Sequence, residues 1–406
     1  MNNWKKTFLI IWTGQFFSLV SSSTVNFAII IWLSIEIRSA EVLAYAAIAA
    51  LLPQSLIGPF TGPYIDRWDR KMTMILADGF IAFCTLIIAL LFYFDTVELW
   101  YIYFLLAMRS IGSSFHMPAM QASVPLLAPE SALVRIAGIN QVIQSISNIA
   151  GPALGALALT FFEMEQVLLL DIGGALLAIS SLLLVNIPNP NQSVQEAPNI
   201  LQEISLGIRE VTSNAPLKLL FIFSILSTFC IMPISVLFPL MTLDHFLGGM
   251  MQVSWIEIAW GGGMLLGGMV LGTRKQPSNK VILINLMYLV LGATLAISGM
   301  LSPQGYWIFL LLTGVAGISA AIYNACFTAL IQEKVRPTML GRVFSMYISL
   351  SLLPAMLGLL GTGFLADRVG LTTAFIIAGT VILSIGIVSF CTPSLLKLET
   401  KKAIPE

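Results

Sequence analysis

The chain has 406 residues, of which 57% are hydrophobic and 10% charged, with a formal net charge of zero and a mean hydropathy of +0.91. Soluble domains carry about 25% charged residues, and a surface this apolar would be one continuous exposed patch, which excludes an ordinary soluble enzyme; disorder is excluded by the shortage of charge. The apolar runs last about 20 residues, the length an α-helix needs to cross about 30 Å of hydrocarbon, and they lack the alternation of a barrel strand. The chain therefore reads as an all-α polytopic membrane protein.

In chain order, twelve spans are predicted at roughly 7–33, 42–61, 72–94, 99–121, 134–161, 167–187, 217–241, 252–272, 281–300, 305–328, 341–365 and 371–391. The first is too long for a signal-peptide core and lacks a small-residue cleavage site. Polar stretches divide the chain into an N-terminal six-helix bundle (1–187), a cytoplasmic linker (188–216), a C-terminal six-helix bundle (217–391) and a cytoplasmic tail (392–406). In the linker, Pro188, Pro190 and Pro198 oppose helix formation. Beyond them Ile200, Ile204, Ile208 and Val211 recur at helical spacing, which predicts a short amphipathic helix on the inner membrane face.

With the N-terminus inside, 17 of the 20 Lys and Arg residues fall on the cytoplasmic side. Arg38 and Arg368 fall outside, and Arg109 lies within a span. By the positive-inside rule both termini are cytoplasmic. A shift of 207 residues pairs Arg67 with Arg274, Asp78 with Asn285, Arg135 with Arg342 and Gly151 with Gly358, a faint repeat of the kind a parallel duplication leaves.

Cys84, Cys230, Cys326 and Cys391 show no C-x-x-C spacing, and His116 and His245 are too far apart for a metal cluster. There is no phosphate-binding loop, dinucleotide fingerprint or nucleophile elbow. No metal, cofactor, nucleic-acid partner or enzymatic activity is expected. A transporter-like sensor would need a signalling domain, for which linker and tail are too short.

Several motifs carry more specific information. GPYIDRWDRK after the second span resembles the loop signature G-x-x-x-D-R-x-G-R-R/K of the major facilitator superfamily. Gly62, Asp66, Arg67, Arg70 and Lys71 match it, and Asp69 replaces the inner glycine. In the fifth span, Gly138, Ser147, Gly151, Pro152, Gly155 and Ala156 resemble that superfamily's antiporter pattern, with Ser147 and Ala156 as small replacements for glycine. Small residues let helices approach closely. In the fourth span Arg109 stands in LAMRSIGSSFHMP and resembles the family's span-4 arginine, although Gly112 follows one position early. The stretches LLPQSLIGPFTGPYIDRWDRKMTMILAD, RSIGSSFHMPA, QSISNIAGPA and QEKVRPTMLGRVFS are similar to the drug:proton antiporter subgroup of bacterial macrolide efflux proteins.

The resemblance implies alternating access around a central cavity between the two bundles. Polar residues on the implied lining helices are Gln15, Ser22 and Asn26 in the first span, Asn140, Gln144 and Asn148 in the fifth, and Tyr323 and Asn324 in the tenth. The three in the fifth span recur every four residues and share a face. An arginine in hydrocarbon marks a functional site by default, and burial raises a carboxyl pKa. Glu257 and Asp171 are thus candidates for proton coupling or for holding a drug's cationic amine, with Arg109 and His116 beside them. Asp78 is expected to bond with the 66–71 loop. The expected activity is proton-driven efflux of bulky amphipathic antibiotics, macrolides foremost, by a monomer in a bacterial inner membrane. An anionic cargo, a siderophore or lysophospholipid, is the alternative.

Overall fold

A computed structural model describes residues 4–36, 40–188, 200–273, 279–396 and 398. Arg38, Pro190, Pro198, Arg274 and most of the predicted tail lie outside these. The described residues are helical throughout, with no strand. The first six long helices are α1 (Trp4–Glu36), α2 (Ala40–Arg67), α3 (Arg70–Tyr93), α4 (Leu99–Leu127), α5 (Leu133–Phe161) and α6 (Met164–Leu183). A short helix, α7 (Ile200–Thr212), precedes α8 (Ala215–Leu240), α9 (Met250–Thr273), α10 (Lys280–Met300), α11 (Tyr306–Lys334), α12 (Leu340–Val369), α13 (Leu371–Phe390) and the single turn α14 (Pro393–Leu396). Twelve of these described helices have 20 or more residues. At 1.5 Å per residue even the shortest is about 30 Å long, enough to cross a bilayer. Ten are also apolar enough by composition.

Most boundaries fall within a few residues of the expected ones. Three helices run six residues past their expected ends, α2 to Arg67, α4 to Leu127 and α11 to Lys334, so that Gly62–Arg67 is helical and not loop. The α2 prolines, Pro53, Pro59 and Pro63, each remove a backbone donor. The helix continues because its last turn is held by tertiary bonds from Asp66, described below. α7 covers the stretch where the short helix is expected, and in it Gly207 and Val211 are buried while Ile208 is exposed.

The residues group into two compact units. Unit 1 comprises 1–130, 146–208 and 335–349; unit 2 comprises 131–145, 209–334 and 350–406. In unit 1, α1 packs on α6, α2 on α4, and α3 on both α4 and α6. In unit 2, α8 packs on α13, α9 on α11, and α10 on both α11 and α13. One pairing scheme thus serves both units.

Their cores differ. Unit 1 buries aliphatic residues, among them Val25, Ile29, Ile88, Ile102 and Leu168. Unit 2 is built around Phe238, which stacks on Phe309 at 5.5 Å and meets Phe375 edge-on at 5.2 Å. These offset and edge geometries are the ones aromatic quadrupoles favour. Between α10 and α13 the backbones touch: a Cβ on Gly379 would run into the Ala296 amide, and one on Gly292 into the Leu383 amide. Without a hydrophobic driving force between helices in lipid, such close packing supplies much of the attraction. Gly370, with φ of 84°, makes the turn from α12 to α13 that a side chain would strain.

Gly379→Ile is expected to lower the melting temperature of the purified protein markedly, at a cost of about 1–3 kcal/mol or more. Gly173→Ala, where added carbon meets open space, is expected to leave it unchanged. Thermal unfolding in detergent distinguishes the two.

Candidate functional site

Unit 1 contains two layers of polar residues stacked along the same helices. In the first layer Arg109 of α4 and Asp171 of α6 form an ion pair at 2.7 Å, with only 6% and 1% of the residues exposed. The carboxylate is saturated by its neighbours. Ser22 donates to Oδ1 at 2.5 Å, and Thr85 donates to Oδ2 at 2.6 Å, the oxygen that also takes Arg109 Nη1. Arg109 also reaches Thr85 Oγ1, and through Nη2 it donates to Asn26 Oδ1 at 3.1 Å. Four helices, α1, α3, α4 and α6, therefore contribute to one charge pair. The guanidinium's several donors make it suited to hold so many acceptors at once.

The second layer holds Asp78 of α3. His116 Nε2 lies 3.3 Å from its Oδ1, and Gln15 Nε2 donates to its Oδ2 at 3.3 Å. All three residues are buried. Asp78 is thus engaged by α1 and α4, not by the 66–71 loop as the sequence suggested. The two layers are related by a simple spacing. Gln15 and Ser22, Asp78 and Thr85, and Arg109 and His116 are each seven residues apart. Seven residues are two turns on one face, about 10 Å along the axis. Arg109 precedes His116 on α4, while their partners appear in the opposite chain order on α3, as antiparallel helices require. Thr85 was not among the expected site residues, though its seven-residue offset from Asp78 was a readable signal.

The loop motif forms a separate set of bonds in unit 1. Asp66 accepts the amides of Gly341 at 2.7 Å and Arg342 at 3.2 Å, the second and third residues of α12, and Arg342 Nε lies 3.2 Å from its Oδ2. A carboxylate at a helix N-terminus satisfies orphan donors and meets the positive end of the macrodipole. Arg70 donates to the carbonyls of Ala122 at 2.6 Å and Pro337 at 2.5 Å. Lys71 donates to the Val185 carbonyl at 2.7 Å, just beyond the C-terminus of α6. Asp69, standing where the motif has glycine, caps α3 by accepting the Met72 amide at 2.8 Å. Arg67 is half-buried, and Gly62 lies against the Arg342 backbone, leaving no room for a side chain.

The glycine pattern of α5 is a packing surface. Gly138 approaches the backbone of Gly268 and Gly272 on α9 within unit 2. Gly151 and Gly155 approach Ser23 and Thr24 on α1 within unit 1, where the carbonyl of buried Ser147 takes a hydrogen bond from Ser23 at 2.9 Å. Pro152 and Ala156 stand in the same helix, with side chains outside those described. Asn140 and Gln144 are half-buried, and Asn148 and Asn324 are exposed. Tyr323 is buried: it donates to Ser224 at 2.5 Å and accepts from Tyr288 at 3.2 Å, which places it inside unit 2.

Glu257 stands apart from the other carboxylates. It is exposed and lines a cavity of about 90 Å³ within unit 2, together with Phe238, Trp260, Leu295, Thr313 and Ser235. No metal-binding cluster of His, Cys, Asp and Glu occurs among the described residues.

Comparison with known proteins places this geometry in context. Residues 11–358 match the model of the Major Facilitator Superfamily. The chain is 37% identical to macrolide efflux protein A of Streptococcus pyogenes over 401 residues, 98% of this chain and 99% of that protein. It is 24% identical to the multidrug efflux pump Tap of Mycobacterium tuberculosis over 379 residues, 91% of this chain and 89% of the pump. Among solved structures, the E. coli fucose:proton symporter superposes with a TM-score of 0.76 at 13% identity, covering 96% of this chain and 99% of that one.

Removing one member of a buried ion pair leaves an uncompensated charge, which costs about 3–5 kcal/mol, whereas replacing both by apolar residues is often neutral. Asp171→Asn is expected to lower the melting temperature sharply. The double variant Arg109→Met/Asp171→Leu is expected to recover most of that loss. Thermal unfolding of the three proteins tests this, and a double variant no more stable than the single one would count against the pair.

Proposed function

We propose that this chain, which belongs to the Major Facilitator Superfamily, exports bulky amphipathic antibiotics, macrolides foremost, in exchange for protons across a bacterial inner membrane. The observation that carries the cargo assignment is the full-length likeness to macrolide efflux protein A. In this reading the halves 1–187 and 217–391 exchange access to a central cavity, with linker and both termini cytoplasmic. The protein is a multi-pass membrane protein of a transporter family rather than an enzyme, and an ion gradient supplies the work.

The Arg109–Asp171 pair is the proposed coupling element. Protonation of Asp171 removes the charge that holds Arg109 and puts an O–H where Ser22, Thr85 and the guanidinium now donate. One partner must turn away, so a single proton changes the contacts of four helices. Such a two-state contact is what a ligand or proton needs in order to shift a conformational equilibrium. The Asp78–His116 layer, two turns away, is a second station for the same proton. Asp66 ties the end of α2 to the start of α12. The geometry gives no support to an anionic cargo recognised by Arg109, because that guanidinium is already neutralised by Asp171 at 2.7 Å.

The decisive measurement is accumulation of radiolabelled erythromycin in a pump-deleted bacterial host with and without this protein, before and after a protonophore. Lower accumulation that the protonophore abolishes is the expected result. Arg109→Met/Asp171→Leu, if as stable as the parent, is expected to lose that export. Unchanged accumulation with the protein demonstrably in the membrane would overturn the macrolide assignment.

A further inference from the structure

The outward side of α3 and α4 in unit 1 carries an inference independent of the macrolide reading. α3 is one of the helices apolar enough to cross a bilayer. Its exposed residues Leu76, Phe80, Phe83 and Leu90 recur at helical spacing, a stripe of the kind hydrocarbon covers. A groove is set into this stripe, between Leu76, Ala77 and Phe80 of α3 and Gly112 and Phe115 of α4, with Trp68 at one end. Trp68 stacks on Phe115 with ring centroids 6.0 Å apart. Gly112, the glycine that stands one position early after Arg109, is buried. A Cβ on it would meet Ile81 at 2.8 Å, so α4 lies close on α3 there. Ala77 and Phe115 are the chain neighbours of Asp78 and His116, so the groove runs alongside that buried layer.

The walls select the occupant. The groove holds about 220 Å³, less than the about 300–1,000 Å³ of sites for drug-sized molecules. Its one hydroxyl, on Thr73, is spent on the Asp69 carbonyl at 2.9 Å. No charged side chain lines it, so an ion would lie there without a counter-charge, and a held water needs about 2–4 polar partners that the groove lacks. Left empty, the walls would forfeit their dispersion contacts. Depth points the same way. Thr73 and Phe80 lie three and ten residues into α3, about 5 and 15 Å along the axis, which is the hydrocarbon of one leaflet of a bilayer about 30 Å thick. Trp68 precedes them at the level where tryptophan favours the membrane interface, and its indole N–H bonds no described residue. The groove is also continuous with the stripe that the bilayer already covers. We infer that it is a binding site for one acyl chain of a phospholipid from the leaflet on the Trp68 side, with Ala77 and Gly112 as its floor and the Trp68 N–H as the donor available to the lipid's ester or headgroup oxygens. No hydrophobic driving force operates within lipid, so the preference for this chain over its neighbours comes from close contact on several sides at once.

The test is native mass spectrometry of the full-length protein, purified in detergent and titrated with dioleoylphosphatidylethanolamine. One phospholipid is expected to bind ahead of all others. Ala77→Phe, which fills the groove, is expected to weaken that first binding at least about tenfold, equivalent to 1.4 kcal/mol. Phe83→Ala, on the same stripe beyond the groove, is expected to leave it unchanged. A second measurement needs no variant and decides the matter even where a substitution impairs folding. The parent is photolysed with one equivalent of a phospholipid carrying a diazirine midway along an acyl chain, and labelled peptides are mapped. Labels are expected to concentrate at 68–80 and 111–115. Phospholipids binding without a distinct first site, full first binding by Ala77→Phe, or labels as dense at 83–90 as in the groove would each overturn the proposal. So would a dimer that Ala77→Phe dissociates, since a second copy would then occupy the groove. Neither drug nor proton gradient enters these assays, so their failure and the failure of macrolide export are separate results.

Discussion

A guanidinium within hydrocarbon must find its counter-charge inside the protein, because no water is there to solvate it. In this chain that constraint organises unit 1. Arg109 cannot be accommodated by α4 alone; it needs Asp171 from α6, and the carboxylate needs Ser22 from α1 and Thr85 from α3 to fill its remaining lone pairs. The result is a polar knot through four helices whose surfaces are otherwise aliphatic. The seven-residue offset to Gln15, Asp78 and His116 extends it into a column. A column of this kind is poised for change: each charge is satisfied only while its partner keeps its protonation state.

Unit 2 solves the same helix-packing problem with different chemistry. The pairings of α8–α11 and α13 repeat those of α1–α4 and α6. Where the 207-residue shift aligns Asp78 with Asn285, however, the charge is gone, and Asn285 simply accepts from Ser389 at 2.5 Å. Tyrosine hydroxyls and a phenylalanine cluster replace the ionic knot. The buried pair Lys280–Glu333 joins the start of α10 to the end of α11, and Glu257 lines a cavity in the same unit.

Within each unit, close backbone approach provides the fit. Gly138 of α5 against α9, Gly151 and Gly155 of α5 against α1, and Gly379 of α13 against α10 let helices meet at distances no side chain would allow. The loop motif works by hydrogen bonding instead: Asp66 terminates α12's unpaired amides, and Asp69 those of α3. Replacing the motif's glycine by Asp69 therefore exchanges backbone freedom for a helix cap.

Hydropathy, span length and the loop charges were enough to establish an all-helical membrane protein with twelve long helices, because a helix in lipid must satisfy its own backbone and announces itself by about 20 apolar residues. The amphipathic spacing of α7 was equally legible, since periodicity is a local property. The motif residues also identified which charges were unusual: Arg109, Asp171, His116 and Asp66 were all apparent as polar groups in or next to apolar runs. Their partners were not. That Asp78 faces His116, that Thr85 completes the Arg109 knot, that Tyr323 turns inward onto Ser224, and that Glu257 is left facing a cavity all depend on the rotation and depth of neighbouring helices. Those are set by packing between residues far apart in the chain, such as 85 and 171 or 15 and 78, for which one-dimensional spacing carries no distance. The sequence alone determined the kind of molecule and its charged residues; only the tertiary structure decided which of those charges are compensated, because compensation is a matter of a few ångströms across helix interfaces.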